Sequence, residues 1–253
     1  MNQKALLGST NMYPYIHIVL PSYTVMALVG GFFALCLVFF RLEKFQIEFT
    51  SFLIMFFFCI IGGIVGSKVL FAITQIPWLI ENFSVRNLLL LIPQSGFVFY
   101  GGLFGVIFTL MIFTRKDMDL RKRIFRLSVP AMPLFHAFGR IGCFLSGCCY
   151  GKDLSSTIVV GPIELTQIPV QLIEALAEFI LFIIIIIIDK KRTDVDLLRI
   201  YLVSYAIIRF ADEFLRGDEV RGIYFGLSTA QWISIIILVV YVFKFIRTRS
   251  SNH

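Results

Sequence analysis

Long apolar runs separated by short charged segments dominate this chain. Stretches of about 20 residues with almost no charge are what a helix needs to cross a bilayer. They predict seven membrane-spanning helices, at about 22–40, 50–73, 95–113, 126–148, 171–188, 197–215 and 230–246. The spans consume most of the chain, so the expected architecture is all-α, a polytopic membrane protein with one transmembrane domain over residues 1–253. The segment up to Pro21 lacks the basic start and small-residue cleavage site of a signal peptide and carries Tyr13 and Tyr15, so it reads as part of the mature protein.

Composition agrees with the pattern. Apolar residues make up 58% of the chain, charged residues 15%, and the mean hydropathy is +0.87. Soluble domains average roughly 45–50% apolar and about 25% charged. The basic residues then set the orientation, because Lys- and Arg-rich loops stay cytoplasmic. One set of loops holds Arg41 and Lys44, then Arg115, Lys116, Arg121, Lys122 and Arg123, then Lys190, Lys191 and Arg192, then Lys244, Arg247 and Arg249. The opposite set holds only Lys4, Arg86, Lys152, Arg216 and Arg221. The N-terminus is therefore expected outside and the C-terminus inside. This asymmetry and the anionic inner leaflet account for the net charge of +7, so no nucleic-acid partner is inferred.

Polar residues inside spans are costly and point to function. Arg140 falls in the outer half of the fourth span, while Tyr205, Arg209, Glu213 and Arg216 recur along one face of the sixth. Lys68, Tyr100, Gln171 and Glu174 sit at the outer ends of three further spans, so polar positions from five helices are expected to converge at the outer-leaflet level. Two guanidinium groups near the headgroup plane suit a phosphate, which they bind with forked, charge-assisted hydrogen bonds. The expected ligand is an anionic phospholipid in a cationic cavity. A plainer reading stays open, in which Arg209 pairs with Glu213 and the cluster only holds helices together. Glycines at 62, 63, 66, 101, 102, 105, 139 and 142 permit close helix approach. Pro130 and Pro133 predict a broken or kinked fourth span.

The five cysteines give no secreted disulfide framework. Cys36 and Cys59 lie in apolar spans and read as small hydrophobes. Cys143, Cys148 and Cys149 follow C-x4-C-C, which is not a zinc-ligand spacing, and no histidine pair accompanies them. Neither a metal nor a cofactor is predicted.

Those three cysteines belong to a stretch, His136–Gly151, that also holds Arg140 and four glycines before its last residue or at it. Within it, GRIGCFLSGCCYG (139–151) resembles the signature of prolipoprotein diacylglyceryl transferases, G-R-x-G-N-F-x-N-x-E-x-x-G. The resemblance extends along the chain. GFVFYGGLFG (96–105) is similar to the family's F-H-G-G-L-x-G segment and IPVQLIEA (168–175) to its H-P-S-Q-L-Y-E segment. YAIIRFADEFLRGD (205–218) is similar to Y-G-x-x-R-x-x-x-E-F-x-R, and LSTAQWIS (227–234) to I-S-M-G-Q-x-L-S.

The resemblance implies a multi-pass enzyme of the bacterial cytoplasmic membrane that moves the diacylglyceryl group of phosphatidylglycerol to the lipobox cysteine of a preprolipoprotein. Arg140 and Arg209 would hold the phosphate, Glu213 and Arg216 would orient them, and Gln171 and Tyr205 would line the pocket with Glu174 behind. Gly101, Gly102, Gly139, Gly142, Cys143 and Cys148 complete the expected substrate site. Departures from the pattern are equally specific. Tyr100 stands for the family histidine, Cys143 and Ser146 for its asparagines, Cys148 for its glutamate and Ile168 for a second histidine. A tyrosine is a weak base at neutral pH, which makes His136, one turn before Arg140, a candidate substitute. Three readings follow: the transferase itself, the same phospholipid site with another acceptor or cysteine chemistry, and a non-catalytic lipid- or partner-binding protein.

Overall fold

The computed structural model of the protein describes residues 15–16, 20–76, 80, 84, 98–160, 163–217 and 222–250. Lys4, Tyr13, Arg86, Arg221 and residues 95–97 of the third predicted span lie outside them. Helices dominate the described residues: α1 (Ser22–Phe39), α2 (Phe49–Thr74), α3 (Phe99–Phe113), α4 (Met118–Ser128), α5 (Ala131–Leu145), α6 (Val170–Lys191), α7 (Leu197–Asp212) and α8 (Thr229–Ser250). By length and composition α1, α2 and α6 can cross a membrane, and the apolar parts of α3 and α8 are shorter. Phe32, Phe57, Phe108, Ile183 and Phe243 lie exposed on these helices. Apolar surface on that scale is stable against lipid tails rather than water.

Two compact units form. One runs from Arg41 to Leu127; the other joins Met1–Phe40 to Ser128–His253. In the first, α2 and α3 are antiparallel and meet along a glycine seam. A Cβ on Gly66 would strike the Gly101 carbonyl, and one on Gly105 would strike the Gly62 carbonyl. Backbones this close leave no room for side chains, which is how helices associate where water supplies no driving force. Ser67 Oγ adds a hydrogen bond to the Val98 carbonyl at 3.0 Å.

The predicted fourth span, 126–148, is two helices. Asp117 Oδ1 accepts from the amides of Asp119 and Leu120 and so starts α4. That helix is amphipathic: Ile124 and Leu127 are buried, while Arg123 donates to the Phe45 carbonyl at 3.1 Å. The basic residues read as a loop therefore ride largely on a helix of the interfacial kind. Pro130 ends it, since proline disfavours helical backbone at the residue before it. Pro133 falls in the first turn of α5, where its missing N–H costs nothing.

In the second unit α1 packs on α5, α5 on α6, α6 on α7 and α7 on α8. Gly142 lets α5 reach α1, because a Cβ there would lie 3.2 Å from Tyr23 Cα. Gly139 behaves differently from the packing expectation: nothing lies within 4 Å of the Cβ it lacks. Gly147, at φ 68°, stops α5 with paired bonds from the Gly147 amide to the Phe144 carbonyl and from the Cys148 amide to the Cys143 carbonyl, both 3.1 Å. Gly151 then inserts between neighbouring segments, its amide donating to the Ile168 carbonyl at 3.0 Å and its backbone bridging to Arg216. This junction ties together the ends of α5, α6 and α7.

The all-α expectation needs one correction. Two-residue strands pair as β1 (Tyr15–Ile16) with β2 (Leu20–Pro21), an antiparallel hairpin of β3 (Asp153–Val160) with β4 (Ile163–Gln167) lies between α5 and α6, and β5 (Ile223–Tyr224) pairs with β6 (Leu227–Ser228). The run Ser155-Ser156-Thr157-Ile158-Val159-Val160 before Gly161-Pro162 favours strands for the usual reason, its β-branched side chains.

The glycine contrast is testable. Gly105→Val is expected to destabilise the α2–α3 seam by about 1–3 kcal/mol, the scale of overpacking. Thermal unfolding in detergent should show a lowered midpoint for that variant and an unchanged or raised one for Gly139→Ala.

Candidate active site

Helical spacing builds the site. Residues three and four apart share a face, so α5 presents His136, Arg140 and Cys143 together, and α6 presents Gln171, Glu174 and Glu178. From α7 come Tyr201, Tyr205 and Arg209, with Glu213 and Arg216 in the turn after its end. All of these lie in one compact unit.

Glu174 is the hub, with 1% of its surface exposed. Its Oε2 lies 2.7 Å from Arg140 Nη2 and 3.4 Å from Arg209 Nη1. Its Oε1 lies 3.6 Å from His136 Nε2. The other imidazole nitrogen, Nδ1, faces Glu178 Oε1 at 3.5 Å. Arg209 Nη2 reaches Glu213 Oε2 at 2.8 Å, and Arg216 Nη1 stands 3.9 Å from the same oxygen. The pairing of Arg209 with Glu213 foreseen by the plainer reading is therefore present. Arg140, Arg209 and Arg216 face Glu174 and Glu213 while Glu178 faces His136, so the cluster is a paired array rather than a bare cationic cavity.

Aromatic rings and the α5 terminus close the surroundings. Tyr205 meets the His136 ring edge-on at 5.2 Å between centroids and stacks on Tyr201 at 5.9 Å. Gln171 Nε2 donates to the Cys148 carbonyl at 2.7 Å, fixing the turn after α5. Arg140 Nη1 lies 3.8 Å from Cys143 Sγ. Gly139, one residue before Arg140, leaves open space beside it.

Of the residues expected from sequence, the structure thus joins His136, Arg140, Cys143, Cys148, Gln171, Glu174, Tyr205, Arg209, Glu213 and Arg216. Tyr100, Gly101 and Gly102 belong to the other unit, where Tyr100 is buried and Gly101 packs tightly on α2. Lys68 belongs there too. Glu178, fully buried against His136, was not foreseen. Its signal was available: a carboxylate four residues after Glu174, inside an apolar run, on the same helical face.

A sequence model of the family described as prolipoprotein diacylglyceryl transferase matches residues 13–247. The chain is 35% identical over 195 residues to the phosphatidylglycerol–prolipoprotein diacylglyceryl transferase of Clostridium tetani, covering 74% of this chain and 76% of that protein. It is 33% identical over 190 residues to the Clostridium perfringens protein of that name numbered 2, with 71% and 72% covered. With the like-named Campylobacter hominis protein the identity is 31% over 233 residues, covering 86% and 83%.

Removing one partner of a buried ion pair strands the others, at about 3–5 kcal/mol. Glu174→Gln, which keeps shape but not charge, is expected to cost about that much, measured as a loss of thermal stability in detergent. Glu48→Gln, on an exposed carboxylate at the start of α2, serves as the control and should leave the midpoint in place.

Proposed function

The chain belongs to the prolipoprotein diacylglyceryl transferase family, and we propose that it transfers the diacylglyceryl group of phosphatidylglycerol to the lipobox cysteine thiol of a preprolipoprotein. One observation carries this reading at the level of the site. Arg140 and Arg209, from separate helices, converge on a single anionic oxygen, Glu174 Oε2, at 2.7 and 3.4 Å. Two guanidinium groups aimed at one oxygen form an anion locus, and a phosphodiester headgroup supplies the same kind of oxygen.

The reaction replaces a C–O bond by a C–S bond. Sulfur attacks the glyceryl carbon, the bond from that carbon to the phosphate oxygen breaks, and glycerol phosphate leaves with the electron pair. Charge grows on the phosphate as the bond breaks, so Arg140 and Arg209 stabilise the transition state more than the bound lipid. Glu213 and Arg216 hold Arg209 in place. The thiol also has to lose a proton, and His136, whose ring nitrogens lie 3.6 Å from Glu174 and 3.5 Å from Glu178, is the candidate acceptor. Gln171, Tyr205, Cys143, Cys148 and Gly139 line the substrate site.

The protein acts in the bacterial cytoplasmic membrane, crossing it seven times with the N-terminus outside and the C-terminus inside. Helices α1, α2, α3, α5, α6, α7 and α8 are the spans and α4 lies along the inner face. The distribution of Lys and Arg supports this orientation, and it puts the arginine cluster in the outer half of the membrane.

Purified protein incubated with phosphatidylglycerol and a lipobox peptide should give a thioether adduct by mass spectrometry. Arg140→Ala and Arg209→Ala should each abolish it; full activity in either would remove the phosphate clamp. A protein with no adduct, beside an active relative in the same assay, would instead favour another acceptor. For the topology, a green fluorescent protein fused to the C-terminus should fluoresce and alkaline phosphatase fused there should be inactive.

A further inference from the structure

The proposed transfer needs no thiol of the enzyme's own, yet three of its five cysteines gather at the end of α5. Cys143, Cys148 and Cys149 bring their sulfurs within 4.8 Å of one another. Spacing alone argues against this, because residues five and six apart on a continuous helix do not point to one place. The chain reversal at Gly147 does it. The Cys148 amide bonds back to the Cys143 carbonyl at 3.1 Å, and Cys149 takes a left-handed conformation at φ 59°. A non-glycine residue in that conformation is strained and persists where its surroundings hold it. Gln171 Nε2 clamps the turn by its 2.7 Å bond to the Cys148 carbonyl.

We propose that Cys143, Cys148 and Cys149 form a three-thiolate site for a soft, thiophilic metal ion of the zinc class. Thiolate ligands select such ions over hard oxygen-seeking ones. A zinc–sulfur bond is about 2.3 Å, which sets sulfurs around one tetrahedral ion about 3.8 Å apart. The three thiols need to close by about 1 Å at most, a movement within reach of side-chain rotation. Ligation of a divalent ion by three thiolates releases three protons and leaves one net negative charge. Arg140, whose Nη1 is 3.8 Å from Cys143 Sγ, is placed to offset it. Burial is graded: Cys143 is buried, Cys149 is half-buried and Cys148 is exposed, so the ion has a path in and a fourth ligand position facing outward. Binding here would also engage a neighbour of Arg140 and so couple metal occupancy to the phosphate locus.

Full-length protein in detergent, kept reduced with a phosphine, is titrated with Cd(II) while the ultraviolet thiolate-to-metal charge-transfer band is followed, and Zn(II) is then added as competitor. One equivalent is expected to saturate the band, and Zn(II) to remove it. Cys143→Ser, Cys148→Ser and Cys149→Ser should each weaken binding more than about a hundredfold, a larger loss than altering a residue beyond the ligands, and the triple variant should abolish it. Cys36→Ser and Cys59→Ser should change nothing. A band that persists in the triple variant, the lack of any band, or recovery of two of the three thiols as a disulfide under these reducing conditions would overturn the proposal. None of these readouts requires transfer activity, so they stand or fall apart from the proposed reaction.

Discussion

A carboxylate with 1% exposure among membrane helices cannot stand alone. Withdrawing an ionised carboxylate from water costs several kcal/mol even after relaxation, and Glu174 meets that cost with Arg140 from α5, Arg209 from α7 and His136 behind them. Three helices are therefore locked in register by one side chain. In lipid this matters more than in water, because the tails surrounding a helix are as apolar as its own side chains and burial gives little preference for one partner over another. The glycine seam of α2 and α3 solves the same problem by close backbone contact, and the α5–α6–α7 cluster solves it by charge.

In the proposed reaction the same arrangement prepares the arginines for catalysis. An unpaired guanidinium in this setting would be driven toward the interface, whereas paired with Glu174 it stays in place with no substrate bound. Arg140 and Arg209 are already paired with Glu174 and Glu213, so a phosphodiester brings a charge that the arginines share rather than one that fills an empty cation site. The useful gain comes later, when the leaving phosphate acquires further charge and the guanidinium groups shift their hydrogen bonds from carboxylate to phosphate. Stabilisation that grows along the reaction path is what raises the rate.

Much of this was legible in the sequence. Apolar runs locate the helices to within a few residues, because lipid demands continuous apolar surface, and three- and four-residue spacing puts His136 with Arg140 and Tyr205 with Arg209. Local chemistry hid the rest. Hydropathy does not separate α4 from a loop, since its apolar residues, Ile124 and Leu127, are few and its basic ones many. The β3–β4 hairpin disappears when every inter-span segment is taken as connector, although its β-branched run is plain. Glu178 lies just before the most apolar stretch of α6, and its contact with His136 gives it meaning.

The cysteines mark a deeper limit. C-x4-C-C read along a helix scatters the thiols, and read along an extended chain it separates them too. A helix that ends at Leu145 with a left-handed glycine two residues later turns the backbone on itself within one step, and the sulfurs meet. That turn is the same one that seats Gly151 against Ile168 and carries the chain back toward Arg216. Gly147, at a position where the family pattern names no residue, and Gly151, which matches it, therefore shape the backbone, and the residues that depart from the pattern gather at the turn they make. Cys148 stands where the resembled pattern has a glutamate, and the thiols gathered with Cys143 beside Arg140 carry a charge that depends on deprotonation or on a metal. Arg140 then lies between two anionic demands: Glu174, constant and buried, on one side, and the three thiols, variable and partly exposed, on the other. On the proposed function, the strength with which it would hold a phosphate depends on the state of the second.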